Sequence, residues 1–170
     1  RLDWPRLTSS AQATTVSRYM KHLMQRFGVD PLVIPNGIPA DLLQPVAEVQ
    51  IAGLRTALGV DARTIFLFKA GRFDPAKQWM TAVEAAARLR ELGYRIVFPL
   101  RGGVEPHGHE VLRYARERGL RVEDIAGAPA SWDDVLSRLR AAGPADLYNL
   151  QFFLPQSWLR PFYAAADAVL

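Results

Sequence analysis

The stretch "IFLFKAGRFDPAKQW", Ile65 to Trp79, joins an apolar run to a glycine, two basic residues and the start of an apolar-periodic segment. An unbroken apolar run of this length is typical of a strand covered on both faces in a parallel sheet. Asp74 is a good N-cap residue and Pro75 suits the first helical position, where its missing N–H costs nothing. The reading therefore starts a helix at Pro75 and runs it over Ala76 to Leu92, with Trp79, Val83, Ala86 and Leu89 at spacings of four and three. Arg72 then lies in the loop behind Gly71, and Lys77 in the first helical turn, where the positive end of the helix dipole disfavours cations. Stability does not ask for that placement. Free backbone N–H groups, a dipole end, a guanidinium fork and an ammonium at the carboxyl edge of a parallel strand make an anion site, and a diphosphate is its natural occupant. The plainer alternative, pairing of Arg72 and Lys77 with surface carboxylates such as Asp74, contributes only about 0–1 kcal/mol.

Outward from this stretch, strand and helix signals alternate. "ATTVS" (Ala13 to Ser17) reads as a short strand, and Ser17 caps a helix carrying Tyr19, Leu23 and Phe27 before Gly28 stops it. "PLVIPNG" is a second strand closed by an Asn-Gly turn. From Ile38 to about Glu48 the chain is rich in Pro with no clear period, as suits a linker. A helix over Val46 to Leu58 leads to the apolar strand, and after the Ala76–Leu92 helix come the strand "YRIVFPL" and a helix from Glu110 to Arg118. "LRVEDIAGAP" reads as either strand or loop. "SWDDVLSRLRAAG" is a helix capped by Ser131, "LYNLQFFL" a strand, Ser157 to Ala166 a helix, and "AVL" the start of a further strand. This order predicts an α/β fold, a doubly wound, Rossmann-like parallel sheet with right-handed crossovers, in which Phe66 to Phe68 are central.

Composition narrows the classes. At 170 residues, 49% hydrophobic and 22% charged, the chain is long enough for one core and part of a second. It has no Cys, which excludes disulfide frameworks and thiolate metal sites and makes the cytoplasm the expected compartment. No apolar stretch reaches the roughly 18 residues of a membrane span, so membrane contact is not expected. The net charge of +4 comes from Arg scattered among Glu and Asp, which argues against a nucleic-acid footprint. The opening at Arg1 without Met and the close on "AADAVL" are read as the two ends of a fragment.

Five segments carry a resemblance: "TTVSRYMKHLMQRFG", "VIPNGIP", "AGRFDPAKQ", "FFLP" and "WLRPFYAAADAVL". In this order and spacing they look like the retaining group 1 (family 4) glycosyltransferases of the GT-B fold. The resemblance covers most of the chain. It implies a two-domain enzyme that takes a nucleotide-diphosphate sugar as donor substrate, with no further cofactor and no metal, and transfers the sugar with retention to an acceptor that these residues do not identify. By motif position Arg72 and Lys77 match the pair that neutralises the donor diphosphate and its growing charge, and Gly71 matches the glycine before that Arg. Leu154 and Pro155 fall where a loop frames the nucleobase. Residues 1–37 would be the tail of the acceptor domain, and 38–170 the linker and first part of the donor-binding domain. The family's two glutamates, seven residues apart, would lie beyond Leu170, so the fragment is expected to be inactive alone.

Two features depart from the family pattern. Gln78 stands where Gly usually follows the Lys, and the span from Gly103 to Asp146 is long enough to suggest an added helix at Ser131 to Ala142. Other reaction classes on the same fold stay open: a nucleotide-sugar epimerase, a phosphorylase, or a non-catalytic nucleotide-sugar module. Oligomeric state is not legible.

Other candidates have blander readings. "PHGHE" sets His107 and His109 two apart near Glu105 and Glu110, a metal-ligand pattern only if the segment is extended. Asp133 and Asp134 sit in a first helical turn, where acids favour the dipole. Phe152, Phe153, Trp158, Phe162 and Tyr163 read as core rather than as a base-stacking platform.

Overall fold

Two serine caps set helix starts in the computed structural model, which describes residues 3–170. Ser17 accepts the Met20 N–H at 3.1 Å, and Ser131 accepts the Asp134 N–H at 3.2 Å. Each cap satisfies one of the backbone donors that a helix leaves unpaired at its start.

The chain divides into two units, Arg1–Gln44 and Pro45–Leu170. The first holds α1 (Trp4–Thr8), β1 (Thr14–Thr15), α2 (Arg18–Gln25) and β2 (Leu32–Val33), followed by a 3₁₀ turn at Ala40–Leu43. β1 and β2 pair in parallel, with Thr14 opposite Leu32 and Thr15 opposite Val33. No residue of α2 is buried, and Tyr19 and Phe27 are exposed.

The second unit runs α3 (Glu48–Ala57), β3 (Thr64–Ala70), a 3₁₀ turn at Pro75–Lys77, α4 (Trp79–Glu91), β4 (Arg95–Arg101), α5 (His107–Glu117), β5 (Val122–Ile125), α6 (Trp132–Ala141), β6 (Leu147–Leu150), α7 (Gln156–Ala165) and β7 (Ala168–Val169). Its five strands are all parallel, in the order β5-β6-β4-β3-β7. β3 is interior, flanked by β4 and β7, as its unbroken apolar run requires. "LRVEDIAGAP" resolves as an edge strand.

Strand alternation divides the core into two layers. Phe66, Phe68, Val97, Tyr148 and Leu150 face α3, α6 and α7, while Leu67, Ile96, Phe98, Leu100 and Leu147 face α4 and α5. Phe66, Phe68 and Phe98 are wholly buried, and each contributes about 1.5–3 kcal/mol by the area it removes from water. Phe68 also stacks on Phe162 at 5.1 Å between ring centroids, so Phe68→Asp would strand a charge between the sheet and α7. Pro99 sits inside β4, where it has no N–H to give. The ladder to β3 lacks its pairs at residues 98 and 99, yet its register is the same on either side of that gap.

The winding positions the site. The chain leaves β3 and β4 toward α4 and α5 on one face, and leaves β5 and β6 toward α6 and α7 on the other. β4 and β6 are neighbours, so their carboxyl-end loops diverge and open a crevice at a topological switch point. The helix expected at Ser131–Ala142 is present as α6, and the longer span from Gly103 to Asp146 also contributes β5 at the sheet edge.

Candidate functional site

β3 delivers its carboxyl end to Gly71, whose φ of 155° is one that side-chain-bearing residues avoid and whose N–H donates to the Arg101 carbonyl at 3.0 Å. Beyond it the chain does not enter the helix expected at Pro75. Asp74 does cap, accepting the Ala76 N–H at 2.9 Å, but the element it caps is the 3₁₀ turn Pro75–Lys77. Gln78 then adopts a left-handed conformation, φ 55° and ψ 42°, and α4 begins at Trp79.

Tertiary packing makes that correction. The Trp79 side chain is 1% exposed, its ring lies 4.8 Å from that of Phe73, and its indole N–H donates to the Arg72 carbonyl at 2.7 Å. Seating the indole there re-aims the chain at Gln78 and splits the helix. Lys77 therefore stands just ahead of the α4 N-cap rather than inside its first turn. Gln78 gives the first turn of α4 no side-chain acceptor for its N–H groups, because its Oε1 accepts the Thr81 hydroxyl at 3.1 Å instead. The positive helix end is uncapped, with a lysine beside it.

Arg72 and Lys77 are both exposed. The Arg72 guanidinium reaches only 3.9 Å from Asp74, and with 74% of its side chain in solvent that pair is worth little. Lys77 joins no ion pair among the described residues. A third cation, absent from the sequence reading, stands near the end of β3. Lys69 follows Ile65 and Leu67 on the α4 side of β3, and its ammonium sits 5.2 Å from the centroid of the Trp79 ring. Burial lowers its pKa, and repulsion from Lys77 lowers it further. The visible signal was a lysine interrupting "IFLF" at the strand end.

Next to this edge lies a cavity of about 560 Å³ at the carboxyl ends of β4, β5 and β6, under the first turns of α5. Phe73, Arg101, Gly103, His109, Asp124 and Asn149 are among its lining residues. Asn149 is buried and donates to Asp124 Oδ1 at 2.7 Å, and Gln151 donates to the same oxygen at 2.9 Å. Arg101 donates from Nε to the Phe152 carbonyl at 3.2 Å and from its guanidinium to the Gly102 carbonyl, tying the β4 and β6 loops together. Phe73 N–H donates to Glu105 Oε2 at 3.0 Å. The wall thus carries both donors and acceptors, as a site for a heterocycle with polar edges needs.

Leu154 and Pro155 do not line this cavity. Leu154 is buried in the core layer with α3, α6 and α7, and Pro155 precedes α7 as its N-cap. Phe152 and Phe162 are core residues, whereas Phe153 is exposed. The metal pattern at "PHGHE" has no support: α5 starts at His107, three residues earlier than expected, so His107 and His109 point to different sides of a helix. His107 Nδ1 instead meets Glu110 Oε2 at 3.0 Å. Among the described residues no three His, Cys, Asp or Glu side chains come together to hold a metal, and no helix is long and apolar enough to cross a membrane. Asp134 holds the Ala130 N–H at 2.9 Å and pairs with Arg138, so its role is structural.

Solved structures share this fold. Anabaena HepE (Alr3699), crystallised in complex with UDP and glucose, superposes with a TM-score of 0.56 at 16% identity, over 93% of this chain and 36% of that one. A glycosyltransferase from Rickettsia africae ESF-5 superposes with a TM-score of 0.59 at 15% identity, over 96% of this chain and 38% of that one. The chain therefore spans little more than a third of the length of these relatives, and at such identities the likeness is one of fold. No protein-family model matches the sequence, and no curated protein matches it either.

Proposed function

We propose that the chain carries the donor-diphosphate site of a retaining glycosyltransferase of the GT-B fold, family 4 in type. Residues 1–37 would belong to the acceptor side and 38–170 to the donor side. The observation that carries this reading is the pair Arg72 and Lys77, both exposed at the carboxyl edge of an interior parallel strand and beside the cavity, with Lys77 in no ion pair among the described residues. The fold shared with a protein crystallised with UDP and glucose supports it.

In this reading the diphosphate lies on Gly71, Arg72, Lys77 and the uncapped first turn of α4, and the nucleobase enters the cavity under α5. Leu154 and Pro155 act from behind, anchoring the loop that follows Gln151. When the bond from the anomeric carbon to the β-phosphate oxygen breaks, the electron pair stays on the diphosphate. The two cations then face a larger charge than in the ground state, which is how fixed cations accelerate such a step. The acceptor hydroxyl adds to the anomeric carbon on the face the diphosphate leaves and passes its proton to the departing β-phosphate oxygen. The chain alone would bind donor without transferring sugar.

Titration calorimetry of the chain with UDP, GDP and ADP, each against its parent nucleoside, tests the reading. Saturable binding of at least one diphosphate, tighter than its nucleoside, is the expected result. Equal binding of nucleoside and diphosphate, or none of either, contradicts it.

A further inference from the structure

We propose that Lys69 is a third phosphate-binding cation of this site, held in place by Trp79; the inference rests on the donor-diphosphate reading above. Lys69 continues the face of β3 formed by Ile65 and Leu67, which packs against α4. A core position would be filled there by another aliphatic residue. A lysine at the carboxyl end of the strand instead sends its ammonium to the edge where ligands of parallel sheets bind.

Among the described residues Lys69 joins no ion pair, and its charged neighbour is Lys77, which repels it. The Trp79 face at 5.2 Å gives a cation–π contact, a modest return for a half-buried charge. The lowered pKa has the same meaning: the folded chain disfavours the charged form of this lysine. A diphosphate offers anionic oxygens to both ammonium groups and so relieves the repulsion between Lys69 and Lys77. Arg72 adds a third donor set from the loop whose carbonyl Trp79 fixes. One indole therefore touches both segments, with its ring under the Lys69 ammonium and its N–H on the Arg72 carbonyl. A diphosphate, with several anionic oxygens, is the ligand class that uses three such donors.

The test uses Lys69→Met, which keeps an aliphatic cover on Trp79 and removes the charge, together with Lys69→Arg, which keeps the charge. Each is titrated with the tightest of UDP, GDP and ADP and with the corresponding nucleoside, alongside Arg72→Ala and Lys77→Ala. Lys69→Met should weaken diphosphate binding about 10-fold or more, leave nucleoside binding unchanged, and leave the melting temperature unchanged or higher. Lys69→Arg should restore most of the affinity. If Lys69→Met binds diphosphate normally while Arg72→Ala and Lys77→Ala do not, the Lys69 assignment is wrong and the donor-site reading stands. If Lys69→Met lowers the melting temperature and weakens nucleoside and diphosphate equally, Lys69 is only a cover for Trp79. If the parent binds no diphosphate, both readings fail.

Discussion

The Trp79 indole N–H donates to the Arg72 carbonyl at 2.7 Å, and this one bond joins the start of α4 to the loop that carries the candidate phosphate ligand. The loop between them is also tied by Asp74 N–H to the Arg72 carbonyl, the Asp74 cap on Ala76, Lys77 N–H to the Asp74 carbonyl, Gln78 N–H to the Pro75 carbonyl and Phe73 N–H to Glu105. Trp79→Phe keeps an aromatic ring in the core and deletes the bond, leaving the Arg72 carbonyl with one partner fewer. We expect a loss of about 1–3 kcal/mol in stability, read by denaturant unfolding, and a fall in diphosphate affinity that exceeds any change for the nucleoside. Unchanged affinity would show that the loop holds Arg72 in place without the indole.

Phe73 rests on two glycines. A Cβ at Gly102 would come within 1.9 Å of the Phe73 ring and one at Gly108 within 2.5 Å, so both positions require the absence of a side chain. Gly102→Ala and Gly108→Ala should each destabilise by about 1–3 kcal/mol through overpacking. Combining Gly102→Ala with Phe73→Leu should cost less than the sum of the single changes, by about 0.5–3 kcal/mol. Strict additivity in a double-mutant cycle would mean that the two residues do not clash.

Gln78 is the one non-glycine residue with positive φ among those described, at 55°. The family resembled in sequence places Gly there, and the left-handed conformation gives the reason. A residue with a Cβ costs roughly 1–2 kcal/mol in that region, against which Gly loses about 0.5–1 kcal/mol of chain entropy and the contact to Thr81. Gln78→Gly should therefore leave the melting temperature level or raise it by up to about 2–4 °C, and Gln78→Val should lower it. The reverse order would show that the left-handed turn is not held in solution.

Much of this fold is legible from residue pattern, and the exceptions have physical causes. β3 and β4 are readable because a strand buried on both faces must be apolar throughout, and Ser17 and Ser131 because a cap is a local device. β5 stays ambiguous: it is an edge strand with Glu123 and Asp124 in solvent and only Ile125 buried, so burial shapes little of its sequence. The start of α4 is misread because Asp74-Pro75 is a sound local signal, and the contact that overrides it, Trp79 on Phe73 and Arg72, is tertiary. The cavity escapes because Glu105, Asp124 and Asn149 meet only once the sheet order is known. Its traces were the "RGG" after β4 and a polar Asn149 in an otherwise apolar strand.

Acid should expose the α4–α5 junction. Glu84 accepts hydrogen bonds from the Tyr114 hydroxyl at 2.7 Å and from Arg118 at 2.8 Å, and these, Tyr114 first, hold its pKa below 4.5. A carboxylate with a lowered folded pKa contributes stability that is fully present above the unfolded value and lost as pH falls through the folded one. The melting temperature of Glu84→Gln should lie below the parent's at pH 7, and the gap should narrow as pH falls below the ordinary glutamate value of about 4.3. A gap of the same size at pH 3 would assign the effect to packing rather than charge.

The central claim is that Arg72 and Lys77 are exposed at the end of β3 to hold a diphosphate, and calorimetric titration of Arg72→Ala and Lys77→Ala with a nucleoside diphosphate tests it most directly. If each makes one charge-assisted hydrogen bond of about 1.5–3 kcal/mol, each replacement should weaken binding by about 10- to 150-fold. Their melting temperatures should match the parent's, since Lys77 joins no ion pair among the described residues and the Arg72–Asp74 pair is long and exposed. Unchanged affinity with a lowered melting temperature would contradict the account and make both residues structural.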